Sequence, residues 1–156
     1  MQSEPTLPTI LLAAATGART MTGLAATARV IRGGEPITAQ PARFVASGSV
    51  ASAIGALAAM ELLADKLPGI PNRTDALPLL GRAAAGALIG ATIAAASRRD
   101  RVQGAAIGAV VAVIAARLSF HARRALAEQL PATLAALVED AAVGCIAAAG
   151  VAAMNR

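Results

Sequence analysis

The sequence predicts an all-α integral-membrane protein, a polytopic bundle of about five hydrophobic helices forming one domain over residues 1–156. Composition is the first ground. Of the 156 residues 56% are hydrophobic and 15% charged, with a mean hydropathy of +0.63. That is more apolar than soluble domains usually are, and so little charge would cover a soluble surface of this size poorly. The second ground is length: the last apolar stretch, residues 130–154, matches the roughly 20 residues that cross the hydrocarbon core of a bilayer. The third is the placement of charge inside such stretches, with Glu139 and Asp140 adjacent in the last one, Arg19 in the first, and Glu61 and Asp65 in the second. An ionisable group at the centre of a span costs at least about 2.5–3.5 kcal/mol on insertion scales, so these groups are expected to face the bundle interior and one another. Most of the apolar count is Ala, which keeps a soluble Ala-rich bundle as the competing reading. With two Phe and no Trp or Tyr, the interfacial aromatic belt common in membrane proteins is missing.

Five helical segments follow in order. The first covers residues 9–31 and is followed by a loop holding Gly33, Gly34, Pro36 and Pro41. Its N-terminal flank carries Glu4 and no basic residue, unlike a signal peptide, so this segment is expected to be retained. The second covers residues 44–67 and is stopped by Pro68, Gly69 and Pro71. In the polar turn beyond it, Asn72 or Asp75 is placed to cap a helix. The third, residues 79–97, is short and Ala-rich, a weak span that could instead be re-entrant or interfacial. Arg98, Arg99, Asp100 and Arg101 then leave room only for a tight antiparallel hairpin into the fourth segment, which runs from residue 102 to about residue 120 or a little beyond. A polar patch, residues 121–129, leads to the fifth, residues 130–153.

Small residues recur every fourth position. Gly86 with Gly90, and Gly104 with Gly108, form GxxxG motifs, and Gly48 with Ser52 and Ala51 with Gly55 repeat the spacing. Such faces let helix backbones approach closely in lipid. They serve either packing within the bundle or a homo-oligomer interface. Two pieces of the chain also echo each other: Ala18-Arg19-Thr20 with Ala116-Arg117-Leu118-Ser119, and Leu57 to Glu61 with Leu134 to Glu139. A duplicated two-helix unit reversed by the third segment would give the inverted repeat of many transporters. Helix geometry opposes this, because at about 1.5 Å per residue Glu61 and Glu139 fall toward the same membrane face.

The net charge is +5, almost all of it from Arg; Lys66 is the only lysine. The basic residues lie mainly at the ends of apolar runs, where they suit anionic lipid headgroups. With no Trp or Tyr and only two Phe to stack bases, nucleic acid is not an expected partner. Loop counts of Arg and Lys are nearly balanced and do not set an orientation. Cys145 is the only cysteine, so no intrachain disulfide forms, and its apolar helix makes it a packing residue. His121 lies at headgroup level without further ligands for a metal. Lys66, near the end of its helix, suits the negative end of the helix dipole and an interfacial anchor.

Several stretches resemble a known family. Glu61-Leu62-Leu63-Ala64-Asp65-Lys66-Leu67-Pro68-Gly69, then Asp75, then Arg82 before the small-residue run 83–87, is similar to the E-x-x-A-D-K-[IL]-P-G signature, downstream Asp and Arg of the bacterial membrane-protein family catalogued as domain of unknown function four-one-two-six. Gly17-Ala18-Arg19 resembles its early Gly-x-Arg, and Leu137-Val138-Glu139-Asp140 its late Leu-x-Glu-Asp. The family often follows its Arg with Pro, whereas Thr20 follows Arg19 and Leu118 follows Arg117, so the proline that would break the helix is missing here. The resemblance implies a membrane location, in bacteria the inner (cytoplasmic) membrane, and no established activity.

Arg19, Glu61, Asp65, Arg82, Arg117, Glu139 and Asp140 are therefore the candidate site residues. They serve either as mutually neutralising pairs that fix helix register, or as a pathway for an ion or small charged solute in which Glu61 or Glu139 changes protonation and Arg19 or Arg117 holds an anionic group. Asp65 with Asp140 could formally supply an aspartyl dyad. No nucleophile elbow, HExxH or Gly-rich phosphate loop accompanies it, so neither an enzyme nor a cofactor is expected. The expected partners are membrane lipids and further copies of the chain.

Overall fold

The computed structural model describes residues 6–34, 37–64 and 76–155, without the side chains of residues 61–64, 77 and 132. These residues form helices α1 (Thr6–Ala18), α2 (Thr20–Gly33), α3 (Ala42–Ala46), α4 (Gly48–Ala64), α5 (Ala76–Ala96), α6 (Arg101–Ala127) and α7 (Ala132–Met154). Among the described residues three helical stretches, Pro78–Ala96, Arg101–Ala127 and Thr133–Met154, are long and apolar enough to cross a membrane, which marks the chain as a membrane protein. The expected five hydrophobic segments are redistributed over seven helices.

The largest departure is in the first segment, which is not one helix. Arg19 takes an extended conformation, with φ −136° and ψ 115°, and divides the segment into α1 of 13 residues and α2 of 14. The two halves fold back on each other: a Cβ added at Gly23 would overlap the carbonyl oxygen of Leu12 and the hydroxyl of Thr16, and Leu12, Leu24 and Ala28 share one core cluster. Each half reaches about 20 Å, short of the roughly 30 Å hydrocarbon core. The first segment is thus a helical hairpin with Arg19 at its apex. Such a break is tolerated at membrane depth only where protein surrounds it. Here α1 is central, packed against α2, α5, α6 and α7.

The open end of the hairpin defines one face of the bundle, called the near face below. Pro8 at the start of α1 and Val30 near the end of α2 line one hollow with Ala96, Val151 and Met154, at the ends of α5 and α7. On the same face, residues 97–100 join α5 to α6. Arg98, at φ 54°, places the Arg99 N–H on the Ala94 carbonyl at 2.8 Å and its own N–H on that of Ala95 at 3.3 Å, which terminates α5. Asp100 then caps α6 by accepting from the Val102 N–H at 2.8 Å. The expected tight hairpin is present.

Small residues set how closely these two helices approach. A Cβ at Gly90 would overlap the Gly104 carbonyl, and one at Gly108 the Gly86 carbonyl, so the two GxxxG motifs face each other within one chain. The buried row of α6, Gly108, Ala112 and Ala116, also receives α1: a Cβ at Gly17 would meet the Ala112 carbonyl and the Ala115 side chain. Gly48 and Gly55 have no comparable close backbone neighbour. Peripheral α4 packs on α2 and α3.

Three further expectations are corrected. The third segment, read as weak or re-entrant, is one continuous α5 with a buried face, because its small residues seat it against α6. The patch at residues 121–129 is largely helical, since α6 runs to Ala127. Cys145 is exposed on α7 rather than packed in the bundle. Helix α6 also passes Arg117 unbroken, so the two stretches that echo each other in sequence differ in shape. The signature around residues 65–75, including Asp65, Lys66, Asn72 and Asp75, lies outside the described residues.

Candidate functional site

Ionisable side chains gather at the apex of the hairpin. The last carbonyls of a helix lack intrahelical partners and carry its negative partial charge. At the end of α1 this deficit meets Arg82 of α5, whose Nη1 donates to the Gly17 carbonyl and, at 3.4 Å, to that of Ala18. Arg82 is 5% exposed and lies in the buried α5 face with Ala85, Ile89 and Ile93. One guanidinium therefore holds the broken end of α1, a geometry that no proline enforces in this chain.

Arg19 itself is 4% exposed and makes an ion pair with Asp140 of α7. The buried row of α7 runs through Ala135, Glu139, Val143 and Ala147, with Val143 and Ala147 packed on Ala15 and Ala18 of α1. Glu139 sits in this row, and Asp140 lies one step round the helix, about 100° away. The two neighbouring acids consequently serve different helices. Asp140 reaches the hairpin, and Glu139 reaches Arg123 of α6 at 3.3 Å. Glu139 is buried, whereas the side chains of Asp140 and Arg123 are 34% and 33% exposed. The cluster thus has a buried floor of Arg19, Arg82 and Glu139 and a partly open rim.

Of the candidate residues, the structure brings together Arg19, Arg82, Glu139 and Asp140. Arg117 is not among them: it is exposed, because it lies one step beyond Ala116 in the buried α6 row and points outward. The side chain of Glu61 and all of Asp65 lie outside the described residues. Arg123 was missed because its segment reads as a loop. The signal that could have found it is its position seven residues after Ala116, two turns along the same helix face. Among the described residues, no three His, Cys, Asp or Glu side chains converge as a metal site would require.

No curated protein and no solved structure matches the chain. A family model described as Domain of unknown function (DUF4126) matches residues 7–154, a span that takes in the hairpin, the Arg82 helix and the Glu139–Asp140 pair. The chain belongs to the DUF4126 family.

Proposed function

We propose that this is a small transporter or channel-like protein of the bacterial cytoplasmic membrane, passing an ion or small charged solute through the polar cluster at the hairpin apex. The observation that carries this reading is the break at Arg19. A helix interrupted inside a bundle, with ionisable groups gathered at the interruption, is the arrangement that places binding sites near the midplane of many transporters. The floor–rim asymmetry supports it as well, because Asp140 and Arg123 are accessible enough to exchange their partner for a solute while Arg19, Arg82 and Glu139 stay fixed.

A structural or assembly role is the second reading, and it too has an observation behind it. Arg19 with Asp140 and Arg123 with Glu139 are ion pairs, and Arg82 is held by carbonyls; pairing of this kind can serve helix register alone. Flux of a panel of ions and small charged solutes into proteoliposomes separates the two. Transport predicts flux that Asp140→Asn abolishes while the protein still folds. A folded wild-type protein that passes nothing in the panel, with Asp140→Asn altering only stability, would favour the structural role.

A further inference from the structure

Arginines that pair with no carboxylate among the described residues border two hollows on either side of α2 at the near face. The larger, about 650 Å³, lies between α2 and the ends of α5 and α7. Its wall is mainly apolar, including Ile31, Ile93, Val151 and Met154, and Arg29 is at its edge. The second, about 390 Å³, lies between α2 and α4, walled by Ala25, Ala28, Ala51 and Gly55 and bordered by Arg29 and Arg32. Arg29 therefore belongs to both hollows. Arg29, Arg32 and the nearby Arg43 are exposed, and among the described residues no carboxylate pairs with any of them. Arg32 and Arg43 also line a third adjoining hollow.

Apolar walls and unpaired guanidinium groups at a membrane face call for a ligand that is anionic at one end and hydrocarbon at the other. Arg suits a phosphate in particular, because its planar fork can donate two parallel hydrogen bonds. The hollows flank a single helix, so the ligand that fits has two tails and one headgroup. We propose that this end of the hairpin is a specific site for one anionic phospholipid, with its phosphate on Arg29 and Arg32 and one acyl chain in each hollow. The lipid covers both flanks of α2 and braces the outer half of the hairpin against α4, α5 and α7. The site stands apart from the charged apex and does not depend on what the apex does.

The test uses the full chain purified in mild detergent, with native mass spectrometry counting retained lipid and thermal unfolding measured after lipid is added back. Phosphatidylglycerol should be retained at about one molecule per chain and raise the unfolding temperature, whereas phosphatidylcholine should do neither. Arg29→Gln and Arg32→Gln should each weaken retention about fivefold, the effect of about one basic residue at an anionic surface. Arg98→Gln, on the same face but outside both hollows, should leave it unchanged. Gly55→Leu gives a second line of test that keeps every charge. Gly55 lines the α2–α4 hollow and nothing lies within 4 Å of a Cβ there, so a leucine is accommodated without a clash and should narrow the hollow and evict the lipid while the fold stands. Equal retention of phosphatidylcholine would overturn the proposal. So would unchanged retention in both Arg variants and in Gly55→Leu, or stabilisation by inorganic phosphate alone equal to that by phosphatidylglycerol.

Discussion

Adding one methyl group to the α5–α6 contact tests whether backbone proximity holds this bundle together. In Gly104→Ala the new Cβ would lie 2.5 Å from the Gly90 carbonyl oxygen and 2.8 Å from the Ala94 Cβ, where real Cβ atoms essentially never come within 3.0 Å. Restoring a tight 3.4 Å contact to the carbonyl requires the helices to part locally by about 0.9 Å. The obstacle is backbone, so no side-chain rotation relieves it, and overpacking of this kind costs about 1–3 kcal/mol. Replacing Gly by Ala in a helix returns up to about 1 kcal/mol of propensity, which leaves a net loss of up to about 2 kcal/mol and a deficit of about 1–3 kcal/mol against a Gly→Ala change in open space. Gly55→Ala and Gly144→Ala are internal controls, because nothing lies within 4 Å of a Cβ at either site; they should be neutral or slightly stabilising. Gly104→Ala combined with Gly108→Ala should cost less than the sum of the two, since one separation of the helices accommodates both methyl groups. Unfolding in mixed micelles, followed by loss of helical signal with rising denaturing detergent, measures all of these. If Gly104→Ala is as stable as Gly55→Ala, close backbone approach is not what holds α5 to α6.

Other consequences concern the hairpin and its apex. In a Cys145→Ala background, single cysteines at Leu7, Thr38 and Ser97 should react with impermeant thiol reagents from one membrane face and a cysteine at Glu128 from the other; labelling of Leu7 and Thr38 from opposite faces would make the first segment a full span. Arg82→Leu should destabilise the protein by at least about 1–3 kcal/mol, the cost of leaving buried acceptors unsatisfied, and should open the apex so that a cysteine at Ala18 becomes reactive; an unreactive Ala18 site would show that Arg82 does not hold the end of α1. Arg19→Gln with Asp140→Asn should be less damaging than the summed single changes, because each single change leaves one partner of an ion pair behind; strict additivity in the unfolding measurement would mean that the pair makes no energetic contribution.

Much of this was legible in the chain, and the parts that were not share a cause. Apolar runs located α5, α7 and the start of α6 to within a few residues, since a helix in lipid must satisfy its own backbone along the whole run; the polar last turns of α6 lay outside any such run. The α5–α6 turn was legible because only four residues separate two helices. Arg19, Glu139 and Asp140 stood out as charges inside apolar runs, and Arg82 through the family resemblance. The hairpin break was not legible, because Thr20 carries no local instruction to stop a helix. What ends α1 there is Arg82, far along the sequence, together with Gly23, which lets α2 lie against Leu12. Partner choice was hidden for a similar reason. Whether Arg19 meets Glu139 or Asp140 turns on a rotation of about 100° of α7, and that is set by Val143 and Ala147 packing on α1.

Such packing bears on why the charges are there at all. The near half of the bundle is held by glycine and alanine contacts that need no ion pair: Gly90 on Gly104, Gly86 on Gly108, Gly17 on Ala112. Buried ion pairs are weak grounds for stability, because desolvation offsets much of their attraction and apolar replacements of similar volume are often no worse. A fold able to join helices through small residues could have closed the apex in the same way. Instead the chain breaks a helix at Arg19, holds the broken end with a second arginine, and leaves Asp140 and Arg123 partly open. The close contacts lie between the apex and the near face, whereas the accessible rim belongs to the apex itself. A solute admitted at the rim would therefore meet its barrier at the seam of α1 with α5 and α6, and the α1–α2 hairpin is the element that would have to move for it to pass.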